Sequence, residues 1–169
     1  MAEPDGDWRP LLAAMVAAAG GVEMPLCLYD LRPPSGQPWP AGVPSGPGLR
    51  DFYARCDGGT LSLQYQWHPL ADLKPETRRW AAELPKLSAP GRPWRLPPKA
   101  VVLGEDSGGA LLVWNVASDR VSLMDWRGGD WEHLGLGFED FMRTLFFEPD
   151  RLNAEADWAE AVRLVAARG

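Results

Sequence analysis

Residues able to do chemistry are few in this chain, and they are scattered. Ser107 stands in the string Asp106-Ser107-Gly108-Gly109. A serine becomes a nucleophile only when a histidine takes its proton and a third group orients that histidine. The chain has two histidines, His68 and His133. His68 lies between Trp67 and Pro69, and His133 between Glu132 and Leu134, both at places where a surface histidine is unremarkable. The serine string is also what a tight turn between two strands requires, because Asp and Ser bond backbone and Gly supplies positive φ. Asp106, Asp119, Asp125 and Asp130 all fall in or beside such turns. Two of them facing across a cleft would make an acid and base pair, yet turn formation accounts for each. Cys27 and Cys56 have no local spacing, so they make neither a disulfide framework nor a zinc site. Both read as buried thiols in a reducing compartment. Neither a GxGxxG nor a GxxxxGK[ST] string occurs. The sequence therefore predicts no catalytic residue, no cofactor and no metal, and points to binding rather than catalysis.

The elements that position these residues follow from hydrophobic period. Residues 100 to 134 hold short apolar runs split by Gly, Asp and Ser turns, which predicts a meander of three or four antiparallel strands. Phe138, Phe141, Met142 and Leu145 then recur at helical spacing. Upstream, Asp7 can cap a helix running to Ala19, and Gly20-Gly21 stops it. A strand is predicted over Leu26 to Leu31, limited by Pro25 to an edge or a strand start. Residues 32 to 48 are dense in Pro and Gly and predict a surface arm with Trp39 as its one adhesive residue. Leu49, Phe52, Tyr53 and Cys56 give a helical face. Leu61, Leu63, Tyr65 and Trp67 alternate with polar residues and predict one strand with a wet face. A short helix follows near Glu76 to Leu84, then a proline-rich crossover to Lys99. Asn153 can cap a last helix over 153–168, with Trp158, Ala161, Val162 and Val165 as its stripe. The fold class predicted is α+β: a single domain over 1–169 in which helices pack on one face of a mainly antiparallel sheet of about four to six strands.

The bulk composition narrows the partners. The 169 residues fit one domain and carry a formal net charge of −6. Nucleic acid is disfavoured, because phosphate neutralisation needs clustered Lys and Arg. A basic partner is weakly favoured through steering. Leu11 to Ala19 superficially resembles a signal-peptide core, but Glu3, Asp5 and Asp7 precede it against a single Arg9, the wrong sign for a positive n-region. The run is too short to cross a membrane. The chain reads as cytoplasmic, with no membrane partner. It is unusually rich in tryptophan, with nine, and Trp is enriched at interface hot spots.

Two resemblances enter on particular strings. Asp106 to Gly109 resembles the nucleophile stretch of trypsin-like serine proteases, but Glu105 intrudes between Gly104 and Asp106, and neither histidine has the protease setting. More of the chain resembles the SMI1/KNR4-like family, also called the SUKH superfamily. Leu49 to Gly59 resembles the helix of that family that ends in an Asp-Gly-Gly turn. Leu103 to Val113 resembles its hairpin with a Gly-rich acidic turn, Val121 to Asp125 its next strand, and Leu134 to Leu145 its closing helix. The likeness spans 49–147; the arm at 32–48, the proline-rich crossover and the tail helix depart from it. The resemblance implies a non-catalytic immunity protein that binds a cognate toxin effector and occludes it. On that reading, Glu105, Asp106 and Asp119 at the turns, with Trp126 and Trp131, are the partner-binding candidates. Two alternatives remain: an intracellular scaffold or regulatory binding domain, and a small serine hydrolase using Ser107.

Overall fold

The computed structural model describes residues 6–88, 90–152, 154 and 156–168. Six strands form one antiparallel sheet in sequence order: β1 Gly59–Leu61, β2 Tyr65–Trp67, β3 Ala100–Asp106, β4 Leu111–Asn115, β5 Arg120–Asp125 and β6 Asp130–His133. The helices are α1 Trp8–Ala18, α2 Pro47–Tyr53, α3 Leu73–Leu87, α4 Phe138–Phe147 and α5 Ala156–Ala166. The fold is α+β, as the period of the apolar residues predicts.

Strand alternation sorts the sheet into two faces. Leu61, Tyr65, Trp67, Val101, Leu103, Leu112, Trp114, Val121 and Leu123 project to the first face and form one core with α1, α2, α4 and α5. Trp67 stacks on Phe52 at 4.4 Å between ring centroids, and Phe138 and Phe141 close around it. Trp158 is fully buried and still satisfies its indole N–H, which donates to the Leu145 carbonyl at 2.7 Å. Arg9 bridges three helices at the rim of this core, pairing with Asp51 of α2 and Glu139 of α4, each at 2.7 Å. Asp7 caps α1 by accepting from the Arg9 backbone N–H.

The second face carries Ala100, Val102, Leu111, Val113 and Met124 under Trp80 and Leu84 of α3. The one-face expectation is corrected here: α3 lies opposite the other helices and is tied to β3 where Val102 N–H donates to Thr77 Oγ1. Next to that bond the β3–β4 register shifts between Val102 and Gly104. Gly104 is required at this bulge, since a Cβ there would lie 1.9 Å from the Gln66 carbonyl oxygen.

Three local expectations change. Residues 61 to 67 are not one strand but the β1–β2 hairpin, with Leu61 opposite Tyr65. The alternation survives because paired residues share a face. Turning costs positive φ at Ser62 (57°) and Leu63 (54°), where no glycine or asparagine signals a turn. Leu26–Leu28 is a 3₁₀ turn rather than a strand, closed by Tyr29 N–H donating to the Leu26 carbonyl, and the buried residues are Leu26, Tyr29 and Leu31. Cys27 is exposed; only Cys56 is buried, and both thiols are free. Burial pushes the Cys56 thiol up to about 12.

Helix α3 runs three residues further at each end than its period predicts: Pro75 sits in the first turn, where its missing N–H is harmless, while Pro85 lies inside the helix near its end. Asn153 lies outside the described residues. The arm at 32–48 is pinned: Trp39 packs edge-on against Tyr53, donates to the Val43 carbonyl and lies under Arg50.

Candidate functional site

Strand direction divides the candidate residues between the two ends of the sheet. The β3–β4 and β5–β6 turns lie at one end, and the β4–β5 turn at the other. Glu105, Asp106, Trp126 and Trp131 therefore gather at one end, while Asp119 stands alone at the opposite one.

At the shared end, Asp106 holds its turn by accepting from the backbone N–H groups of Gly108 and Ala110, at 2.9 and 2.8 Å. Trp126 donates its indole N–H to the Gly109 carbonyl at 3.0 Å, which fastens the two turns together. Its ring leans on Trp80 of α3 at 5.8 Å. Trp94 covers Gly129, where φ is +76° and a Cβ would strike the indole at 2.2 Å. Asp125 binds Arg127 at 2.9 Å, and that bond holds its carboxyl below the usual carboxylate range. The result is a braced surface of turns bearing Glu105, Asp106, Asp125 and Asp130.

Asp119 is differently occupied. Its Oδ1 accepts from the Trp114 indole and from the Phe138 backbone N–H, both at 3.0 Å. It thus fixes the start of α4 against β4, from a backbone with φ of 48°. Ser107 is exposed in its turn and makes no hydrogen bond among the described residues.

The structure does bring a serine and a histidine together, but the serine is Ser122. Its Oγ lies 2.7 Å from His133 Nδ1 across the β5–β6 ladder. Three rows of paired residues cross the second face here. Asn115 pairs with Arg120; Val113 pairs with Ser122, and Ser122 with His133; Leu111 pairs with Met124, and Met124 with Trp131. Helix α3 covers Leu111, Val113 and Met124 in these rows but contributes no residue to the groove lining. The crossover before β3 does, and Arg95 and Pro97 wall a groove of about 350 Å³ over those rows. Trp131 stacks on His133 with their planes 16° apart. Sequence reasoning missed Arg95, Arg120 and Ser122. The available signal was parity: Ser122 is a polar residue at an even position between Val121 and Leu123, on the face opposite to theirs.

His68 is the other histidine of interest. It follows β2, and its Nε2 is buried without a hydrogen-bond partner among the described residues. Burial lowers its pKa against the opposing pull of Glu76, Glu105 and Asp72. Among the described residues no group of three or more His, Cys, Asp or Glu is placed to hold a metal ion, and no helix is long and apolar enough to cross a membrane. Compared with family models, with curated proteins and with solved structures, the chain matches none.

Proposed function

We propose that this protein acts by binding another protein, as a non-catalytic cytoplasmic immunity protein of the SMI1/KNR4-like type that occludes a cognate toxin effector. The observation that supports this reading best is the braced end of the sheet. There the Trp126 indole locks the β3–β4 turn to the β5–β6 turn. Glu105, Asp106, Asp125 and Asp130 stand on or beside these turns, with Trp131 next to them. Rigid turns lose little entropy on docking, and an acidic rim steers a basic partner and rejects acidic ones. Half-buried aromatics at such a rim are the residue type that anchors interfaces. Neither nucleic acid nor a membrane is part of the proposed interaction.

Asp119 leaves the proposed interface in its charged role. Its carboxylate fixes α4, so replacing it would test folding as well as binding. The informative change is Glu105→Gln with Asp106→Asn, which removes both charges and keeps the oxygen that caps the turn.

The test is co-expression of the tagged protein with the product of the adjacent open reading frame, read by pull-down and by growth. A stable complex and restored growth are expected, with the double variant about tenfold weaker through slower association. Neither complex nor toxicity from the neighbour would transfer the proposal to an intracellular scaffold or regulator. Unchanged affinity in the double variant would remove the acidic turns from the interface. The hydrolase alternative predicts labelling of Ser107 by a serine-directed probe, and its loss in Ser107→Ala.

A further inference from the structure

The groove over β4 to β6 has a charge opposite to that of the molecule around it. The chain is formally −6, and half of the described arginines are spent on carboxylates: Arg9, Arg79, Arg127, Arg143, Arg151, Arg163 and Arg168 all form ion pairs. Arg95 and Arg120 both line the groove, and among the described residues neither side chain forms an ion pair or a hydrogen bond. No Asp or Glu lines it. Two exposed cationic side chains thus border one concavity whose lining carries no acid.

The floor supplies oriented donors. Ser122 is only 4% exposed, and its bond to His133 has two neutral forms. If Ser122 donates to Nδ1, the imidazole hydrogen sits on Nε2 and remains free to donate. If Nδ1–H donates to Ser122 Oγ, the serine hydroxyl hydrogen is the free one. Either form leaves one donor of the pair unused. Asn115 adds an amide at the same mouth, and Pro97, Val113 and Trp131 provide apolar wall.

We propose that this groove binds the oxyanion group of a small organic acid, carboxylate or phosphate. Arg95 and Arg120 clamp the oxygens, the Ser122–His133 pair gives a further hydrogen bond, and the organic body lies along Pro97, Val113 and Trp131. Planar guanidinium forks suit both oxyanions. The site is separate from the acidic turns and does not depend on the protein-binding reading.

Titration of the intact protein with benzoate, phenyl phosphate and inorganic phosphate tests this, with benzylamine as the cationic control. The readout is the indole N–H resonance of Trp131, assigned with Trp131→Phe. Saturable shifts in the millimolar range or below are expected with benzoate or phenyl phosphate, and the tighter of the two identifies the oxyanion. Arg95→Gln and Arg120→Gln should each weaken binding about tenfold. Both side chains are exposed, so the variants should keep the native spectrum; Ser122→Ala should weaken binding about threefold. No saturable shift with either organic acid overturns the proposal. Equal binding by benzylamine, or undiminished binding in the two arginine variants, overturns it as well.

Discussion

The two faces of the sheet differ in how completely they are covered. The first is sealed by four helices, and its tryptophans Trp8, Trp67, Trp114 and Trp158 are buried. The second is covered by α3 and a proline-rich crossover, and Trp94, Trp126 and Trp131 remain half-buried there. Both faces are built from alternating strand residues of similar apolarity. They differ in what can be packed on them. Helices α1, α4 and α5 present whole apolar stripes, while the crossover before β3 carries prolines that cannot continue a helix and leaves the β5–β6 corner open. Stability therefore concentrates on one face, and accessible chemistry on the other.

The sharpest test of that contrast is Trp67→Ala. It empties the centre of the first face, where the ring is 1% exposed, and should cost about 3–5 kcal/mol in chemical denaturation. A loss below about 1 kcal/mol would mean that the sealed face is not the main source of stability.

A smaller effect comes from pH. His68 is held neutral by burial, with a pKa below its ordinary value. The unfolded chain takes up a proton near pH 6.5 and the folded one does so only at lower pH, so stability is full above that range and falls as pH drops through it. Denaturation midpoints at pH 7.5 and 5.5 should show the loss, and His68→Gln should reduce it. A midpoint that does not move in the wild-type protein would contradict the buried, unpartnered Nε2.

The smallest effect is expected at Trp131→Ala. A half-buried ring at an edge strand should contribute only about 1 kcal/mol to stability. Ligand binding in the groove, or partner binding at the nearby turns, should suffer more. A loss as large as that of Trp67→Ala would show that the second face is core rather than site.

Much of the fold was legible in the sequence because its signals are local. The Asp7 cap, the stripe on α4, the glycine turns at 108–109 and 128–129 and the tail helix each depend on residues within one turn of each other. The failures are equally physical. The β1–β2 hairpin has no glycine at its bend, and its alternation is the same whether the segment runs straight or folds back. Pro25 and the backbone bond of Tyr29 turned an apparent strand into a 3₁₀ turn. Asp119 looked like any turn aspartate, although its carboxylate meets Phe138 nineteen residues later.

The sequence by itself determined the class of the protein: an α+β fold, the strands of the meander and the apolar stripes of the helices around it, and acidic turns between those strands. Those properties follow from the period of side chains along one segment of backbone. The tertiary structure alone decided that Ser122 meets His133, that Arg95 reaches a groove shared with Arg120, and that Asp119 is a fastening rather than a free charge. Such pairings are set by strand register and by which face of the sheet is left uncovered, and no local pattern of residues encodes either.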